Sequence, residues 1–171
     1  MSLLEILQFP DERLRRVAEP VSAFDAALKE LTEQMLETMY ESRGVGLAAT
    51  QVNIHRRLFV ADCAGDGEAP APMVFINPVI VDRQGMVDSE EGCLSIPGIN
   101  DTVSRAELVK VQAQDERGEA FEVTTDGLLA ICIQHEIDHL DGRLFIDYLS
   151  PLKRQRIRKK FDKVLKLKER P

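Results

Sequence analysis

"GLLAICIQHEIDHLDG", residues 127–142, sets two of the chain's three histidines four residues apart, with a glutamate directly after the first. An α-helix advances about 100° and about 1.5 Å per residue, so His135 and His139 fall about 40° and about 6 Å apart on one face. Two imidazoles so placed can grip one cation, and Glu136 stands where it can act on a water bound there. The helix is bounded by a candidate N-cap, Thr125 or Asp126, and by Gly142. Leu128, Ile131 and Cys132 share the histidine side. So apolar a helix belongs in the interior, and buried imidazoles need partners. That burial argues against a chance H-E-x-x-H on a solvated surface.

Two histidines do not complete a site, so a third ligand is sought. His55, in "VNIHRR", reads as an exposed loop residue beside two arginines. Cys132 is seven residues from His139, about 10.5 Å of helix rise, too far to share one metal with it. It reads as apolar lining, and Cys63, after a strand and beside a loop, as a structural thiol. Cys93 in "SEEGCLSIPG" remains, with Gly92 allowing its backbone to bend; an incidental thiol is the alternative. Cys93, His135 and His139 would leave a fourth position open, the pattern of a catalytic rather than a structural site.

The flanking chain reads as α+β in one domain, residues 1–171, a length able to bury a core. "FDAALKELTEQMLETMYES" repeats Leu28, Leu31, Met35 and Met39 at helical spacing. The glycines of "RGVGLAATQV" end that pattern. "RRLFVADC" reads as a strand, "AGDGEAPAP" as a loop, and "MVFINPVIVD" as strand bent or divided at Pro78. "AELVKVQAQD" and "EAFEVTT" flank "ERG" as a hairpin. From Pro151 a helix is expected, with Ile157, Phe161, Val164 and Leu165 along one stripe.

The composition, 44% hydrophobic and 30% charged, is globular rather than disordered. No apolar run reaches the roughly 18 residues of a membrane span, and the N-terminus lacks the basic region of a secretory signal. Three cysteines suit a reducing compartment better than a disulfide framework, so the cytoplasm is expected. The net charge of −7 conceals an asymmetry: residues 151–171 hold ten Lys or Arg against two acids, +8, leaving −15 on residues 1–150. A solvated helix face is the ordinary reading of such a tail; attraction to a polyanion is the functional one.

"GVGLAATQ" (44–51), "EGCLS" (91–95) and "QHEIDHLDG" (134–142) together resemble the three motifs of bacterial peptide deformylases, in the same order. "FPDERLRRVAEPV" and "FINPVIV" extend the likeness over essentially the whole chain. The resemblance implies antiparallel sheets packed around a central buried helix carrying H-E-x-x-H. It implies removal of the formyl group from N-formylmethionyl peptides by metal-bound water, with Glu136 as general base and then acid. Cys93, His135 and His139 would hold one divalent metal, natively Fe²⁺, with Zn²⁺, Ni²⁺ or Co²⁺ able to replace it. Gln51 and the backbone N–H of Leu94 would stabilise the oxyanion, with Gly46 close to the substrate backbone.

A methionine-selective pocket would be lined by Leu128, Ile131 and Cys132 together with Val45, although the same residues would also serve as plain core. Glu91, ahead of the metal cysteine, is expected to pair with Arg105 and hold that loop. For an enzyme acting on emerging chains, the basic tail suggests ribosomal RNA as partner, without sequence-specific recognition. Two competing readings stand beside this one. A zincin-type endopeptidase would need a histidine or glutamate as third ligand, and a ribosome-binding protein with a structural metal would need a fourth protein ligand.

Overall fold

The computed structural model describes residues 2–169; Met1 and residues 170–171, among them the tail's last basic residue Arg170, lie outside the described residues. The first helix, α1 (Ala26–Glu41), begins where the Asp25 carboxylate accepts the Leu28 N–H at 2.9 Å. It buries Leu28, Leu31, Met35 and Met39, the residues whose spacing predicts it. The strands β1 (Gly46–Ala48), β2 (Leu58–Ala61) and β3 (Met73–Gln84) follow, then β4 (Val87–Cys93) and β5 (Ile96–Arg105), then β6 (Leu108–Gln114) and β7 (Ala120–Thr125). All paired neighbours are antiparallel, in a five-stranded sheet ordered β1-β2-β3-β6-β7 and a separate β4–β5 hairpin.

Local chemistry explains several of these elements. β3 runs through Pro78 as one strand, but its register with β6 shifts between Ile76 and Val79, where Asn77 takes a left-handed φ of 52°. The β6–β7 hairpin is the one expected around "ERG". The β4–β5 hairpin is a departure from the sequence reading. "VDSEEGC" has little strand propensity of its own, and its pairing with β5 from Val87↔Arg105 to Cys93↔Ile96 holds it extended.

The second helix, α2 (Gly127–Leu140), lies across β1, β2 and β6 and buries Ala130, Ile133 and Leu140 completely. Beneath it Phe59 and Phe75 stack with ring centres 4.6 Å apart. The last helix, α3 (Pro151–Glu169), starts at the expected proline. The structure corrects its stripe. Ile157 and Phe161 are buried, with Phe161 edge-on to Phe9 at 5.5 Å, whereas Val164 and Leu165 are 42% and 43% exposed as the helix runs off the body. Among the described residues no helix is long and apolar enough to cross a membrane.

Candidate active site

Three separate stretches of chain meet at one point. α2 carries His135 and His139 on adjacent turns, and their Nε2 atoms lie 3.2 Å apart. Cys93 ends β4 at the turn into β5, its Sγ 3.3 Å from His139 Nε2. The glycine before it leaves room for the Asn100 side chain, which a Cβ on Gly92 would displace. The three donor atoms all lie within 4.8 Å of one another. Metal bonds of about 2.0–2.3 Å at tetrahedral angles separate two ligand atoms by about 3.3–3.6 Å, so the donors are spaced as a metal requires. Two imidazoles and a thiolate also suit iron, zinc, cobalt or nickel rather than calcium or magnesium.

The protonation of the two imidazoles differs. Burial pushes His139 far below its ordinary value, leaving the neutral form that a metal needs. Burial works the same way on His135, but Cys93 and Glu91 outweigh it and push its value well up. The carboxylate of Glu91 faces His135 Nδ1 at 3.0 Å, which fixes the ring and turns Nε2 toward the other donors. Glu91 in turn accepts two hydrogen bonds from Arg105, from Nε and Nη2, each at 2.8 Å. Arg105 reaches further than the sequence reading had it. Its Nη1 donates to Asp138 at 2.6 Å, Tyr148 donates to the same carboxylate oxygen at 2.8 Å, and the guanidinium lies 5.0 Å from the Tyr148 ring centre. Against burial, Glu91 and Asp138 keep Arg105 firmly protonated.

Glu136 is 4% exposed, and its Oε1 has no partner among the described residues. Burial raises its carboxyl to about 7. It faces Gly46, where an added Cβ would come within 2.7 Å of Glu136 Oε2 and 2.6 Å of Cys132 Sγ. Gln51, in the short 3-10 turn Ala49–Val52, has its Oε1 fixed by the Ala48 N–H at 2.9 Å. Its Nε2 donates to Ser95 Oγ at 3.1 Å and points toward Cys93 Sγ at 3.6 Å.

These groups line a cleft of about 370 Å³ between β1 and the β4–β5 hairpin. Leu94 lines it from the turn after Cys93, and Val45, Leu128, Ile131 and Cys132 line it as well. Cys132 is buried, whereas Val45 and Leu128 are exposed at the mouth. All eleven residues anticipated for the site therefore border this cleft except His139, which lies fully buried beneath it. His55 and Cys63 stand apart from the donor group. His55 is half-buried rather than exposed, with Nε2 3.1 Å from Asn53 Oδ1, and Cys63 packs against the central core. The sequence reading missed Asp138, Tyr148 and Ser95. Asp138 alone carried a signal, as an acid within an otherwise apolar buried helix.

The model of a family described as polypeptide deformylase matches residues 3–155. A peptide deformylase of Tolumonas auensis is 56% identical over 164 residues, spanning 96% of this chain and 97% of that protein. One of Chromobacterium violaceum is 58% identical over 163 residues, 95% and 96% of the two chains. The chain belongs to the polypeptide deformylase family. Solved peptide deformylases share its fold. That of Legionella pneumophila superposes with a TM-score of 0.90 at 51% identity, covering 99% of this chain and all of that one. That of Ehrlichia chaffeensis in complex with actinonin gives a TM-score of 0.90 at 41% identity, with both chains fully covered. The protein is accordingly an enzyme, a deformylase that releases the N-formyl group of newly made peptides, and its family is one of metalloenzymes.

Proposed function

We propose that the cleft is the deformylation site, that Cys93, His135 and His139 hold its one divalent metal, and that Glu136 moves the protons. One observation carries this reading: the Nε2, Nε2 and Sγ donors converge beside a buried carboxylate at the floor of the cleft. The thiolate and imidazoles accept Fe²⁺, Zn²⁺, Ni²⁺ or Co²⁺ alike, and it is the family resemblance that makes Fe²⁺ the native ion and the others its replacements. When bound, the ion supplies Lewis acidity, which for zinc brings the pKa of its bound water down to about 7.

The chain's own groups do the rest. With its carboxyl near 7, Glu136 can take a proton from the attacking water and hand one to the departing amine. Gln51 Nε2, its amide oriented through Oε1 by Ala48, and the Leu94 N–H donate to the oxygen that gains charge as the formyl carbon becomes tetrahedral. Gly46 lets the substrate backbone approach Glu136. Val45, Leu128, Ile131 and Cys132 surround the methionine side chain. The whole chain, 1–171, acts as one catalytic domain in the cytoplasm. The deciding experiment measures formate release from a formyl-Met tripeptide by protein prepared without oxygen, with metal content determined on the same sample. No release at full metal occupancy would remove this reading.

Two further outcomes follow. Gln51→Ala is expected to lower kcat/KM by about 10²–10³-fold with metal content kept, as for loss of one oxyanion donor. A loss under threefold would assign the oxyanion to Leu94 alone. The exposed basic face of α3 would bind ribosomal RNA through its charge and without sequence preference. Removing residues 151–171 is a poor test, because Ile157 and Phe161 belong to the core. Reversing Lys159, Lys160, Lys163 and Lys166 to Glu is expected to abolish co-sedimentation with ribosomes while formate release from tripeptides stays at wild-type level. Unchanged sedimentation would reject the partner.

A further inference from the structure

The wall of the methionine pocket is built from two elements lying side by side. Residues at i, i+2 and i+4 of a strand share a face, so Val87, Ser89 and Glu91 of β4 point the same way. Glu91 touches His135 on α2, which orients that whole face toward the helix. Going from Glu91 to Ser89 to Val87, the strand passes successive turns of α2 from His135 through Ile131 to Leu128. Glu91 and His135 close the first step with a hydrogen bond. At the second step β4 offers only a serine.

A second cavity, of about 530 Å³, lies beyond Ser89 and shares Ser89, Leu128 and Ile131 with the cleft. Its apolar part is Val87, Leu128 and Ile131; its rim carries Asp88, Glu107 and Asp126. None of these three acids is paired with a basic side chain among the described residues. Leu128, which lines both cavities, is 53% exposed.

We propose that the methionine pocket continues past Ser89 into this cavity, so that the enzyme deformylates peptides whose first side chain is unbranched and longer than methionine's. The distal atoms then lie against Val87 and Leu128. Ser89 sets the length limit, and the acidic rim discriminates against a terminal carboxylate. The inference rests on the cleft being the deformylation site, and the three residues the cavity shares with that cleft are what name the occupant.

The test uses metal-loaded enzyme and formyl tripeptides that begin with norleucine, 2-aminooctanoic acid or 2-aminodecanoic acid. Each enzyme's rates are scaled to its own norleucine rate, which removes any general loss of activity. Wild type is expected to hold kcat/KM within about threefold along the series, whereas Ser89→Ile, which fills the gap, falls by about tenfold or more on the longest. Val87→Asp, at an exposed position, should penalise only the longest substrate. A side chain ending in an ammonium should exceed its carboxylate counterpart in wild type. A steep decline in wild type, or length profiles unchanged by both substitutions, would overturn the proposal. Absence of formate from every substrate, norleucine included, would overturn the underlying site assignment as well, and is thereby distinguishable.

Discussion

A Glu136→Ala protein is expected to keep its metal and lose about 10²–10⁴-fold in kcat on formyl-Met peptides. Metal retention follows from the donor group, which consists of Cys93, His135 and His139 without Glu136. The loss follows from the carboxylate's position, buried on the α2 face that meets Gly46, with one oxygen lacking any partner among the described residues. Glu136→Gln, of the same size, separates proton transfer from packing, since an amide can occupy the space but cannot take the proton. Both variants should therefore be inactive to a similar degree, and Glu136→Gln, which leaves no cavity, should melt no lower than wild type. Removing a buried carboxylate that lacks a hydrogen bond relieves a desolvation cost. A fully metallated Glu136→Gln enzyme turning over near the wild-type rate would sink the proton-transfer role and leave catalysis to the metal and the oxyanion donors.

Much of this site was legible because its largest piece is local. The two histidines and Glu136 share five residues of one helix, and apolar periodicity both names that helix and buries it. Pro151 marked the start of α3, and two strand-like segments flanking "ERG" marked the β6–β7 hairpin, for the same reason: the signal is local in sequence. What the residues alone did not show was set by tertiary contact. β4 is a strand because β5 pairs with it, and "VDSEEGC" carries three acids and almost no strand preference. Cys93 enters the site across 42 residues of sequence from His135, so only elimination, and the motif resemblance, pointed to it. Glu91 was expected to meet Arg105, and it does. Its second contact, to His135, needed β4 to be seen running beside α2. Val164 and Leu165 fit the apolar stripe of α3, but the body ends before the helix does.

That same pair of elements is the source of the largest stability effect. Arg105→Leu is expected to destabilise the fold by about 3–5 kcal/mol, because it strands the buried Glu91 carboxylate and takes from Asp138 its cationic partner. Arg105 is 4% exposed and Glu91 5%, so Glu91 cannot turn to water for compensation, whereas the half-buried Asp138 keeps its hydrogen bond from Tyr148. At this chain length each kcal/mol shifts the melting temperature by about 2–4 °C, so a fall on the order of 10 °C should be seen in thermal unfolding. Arg105→Lys keeps the charge but loses the fork that meets Glu91 through two nitrogens, and should recover only part of the loss. The double variant Glu91→Gln with Arg105→Leu removes the stranded charge and should be more stable than Arg105→Leu alone, a coupling that independent sites would not show. It should nonetheless hold metal less well than wild type, because an amide cannot hold His135 as the carboxylate does. An Arg105→Leu protein unfolding within about 1 kcal/mol of wild type would mean that the Glu91–Arg105–Asp138 cluster contributes little beyond replaceable packing. The loosened metal would then have to be explained by Glu91 alone.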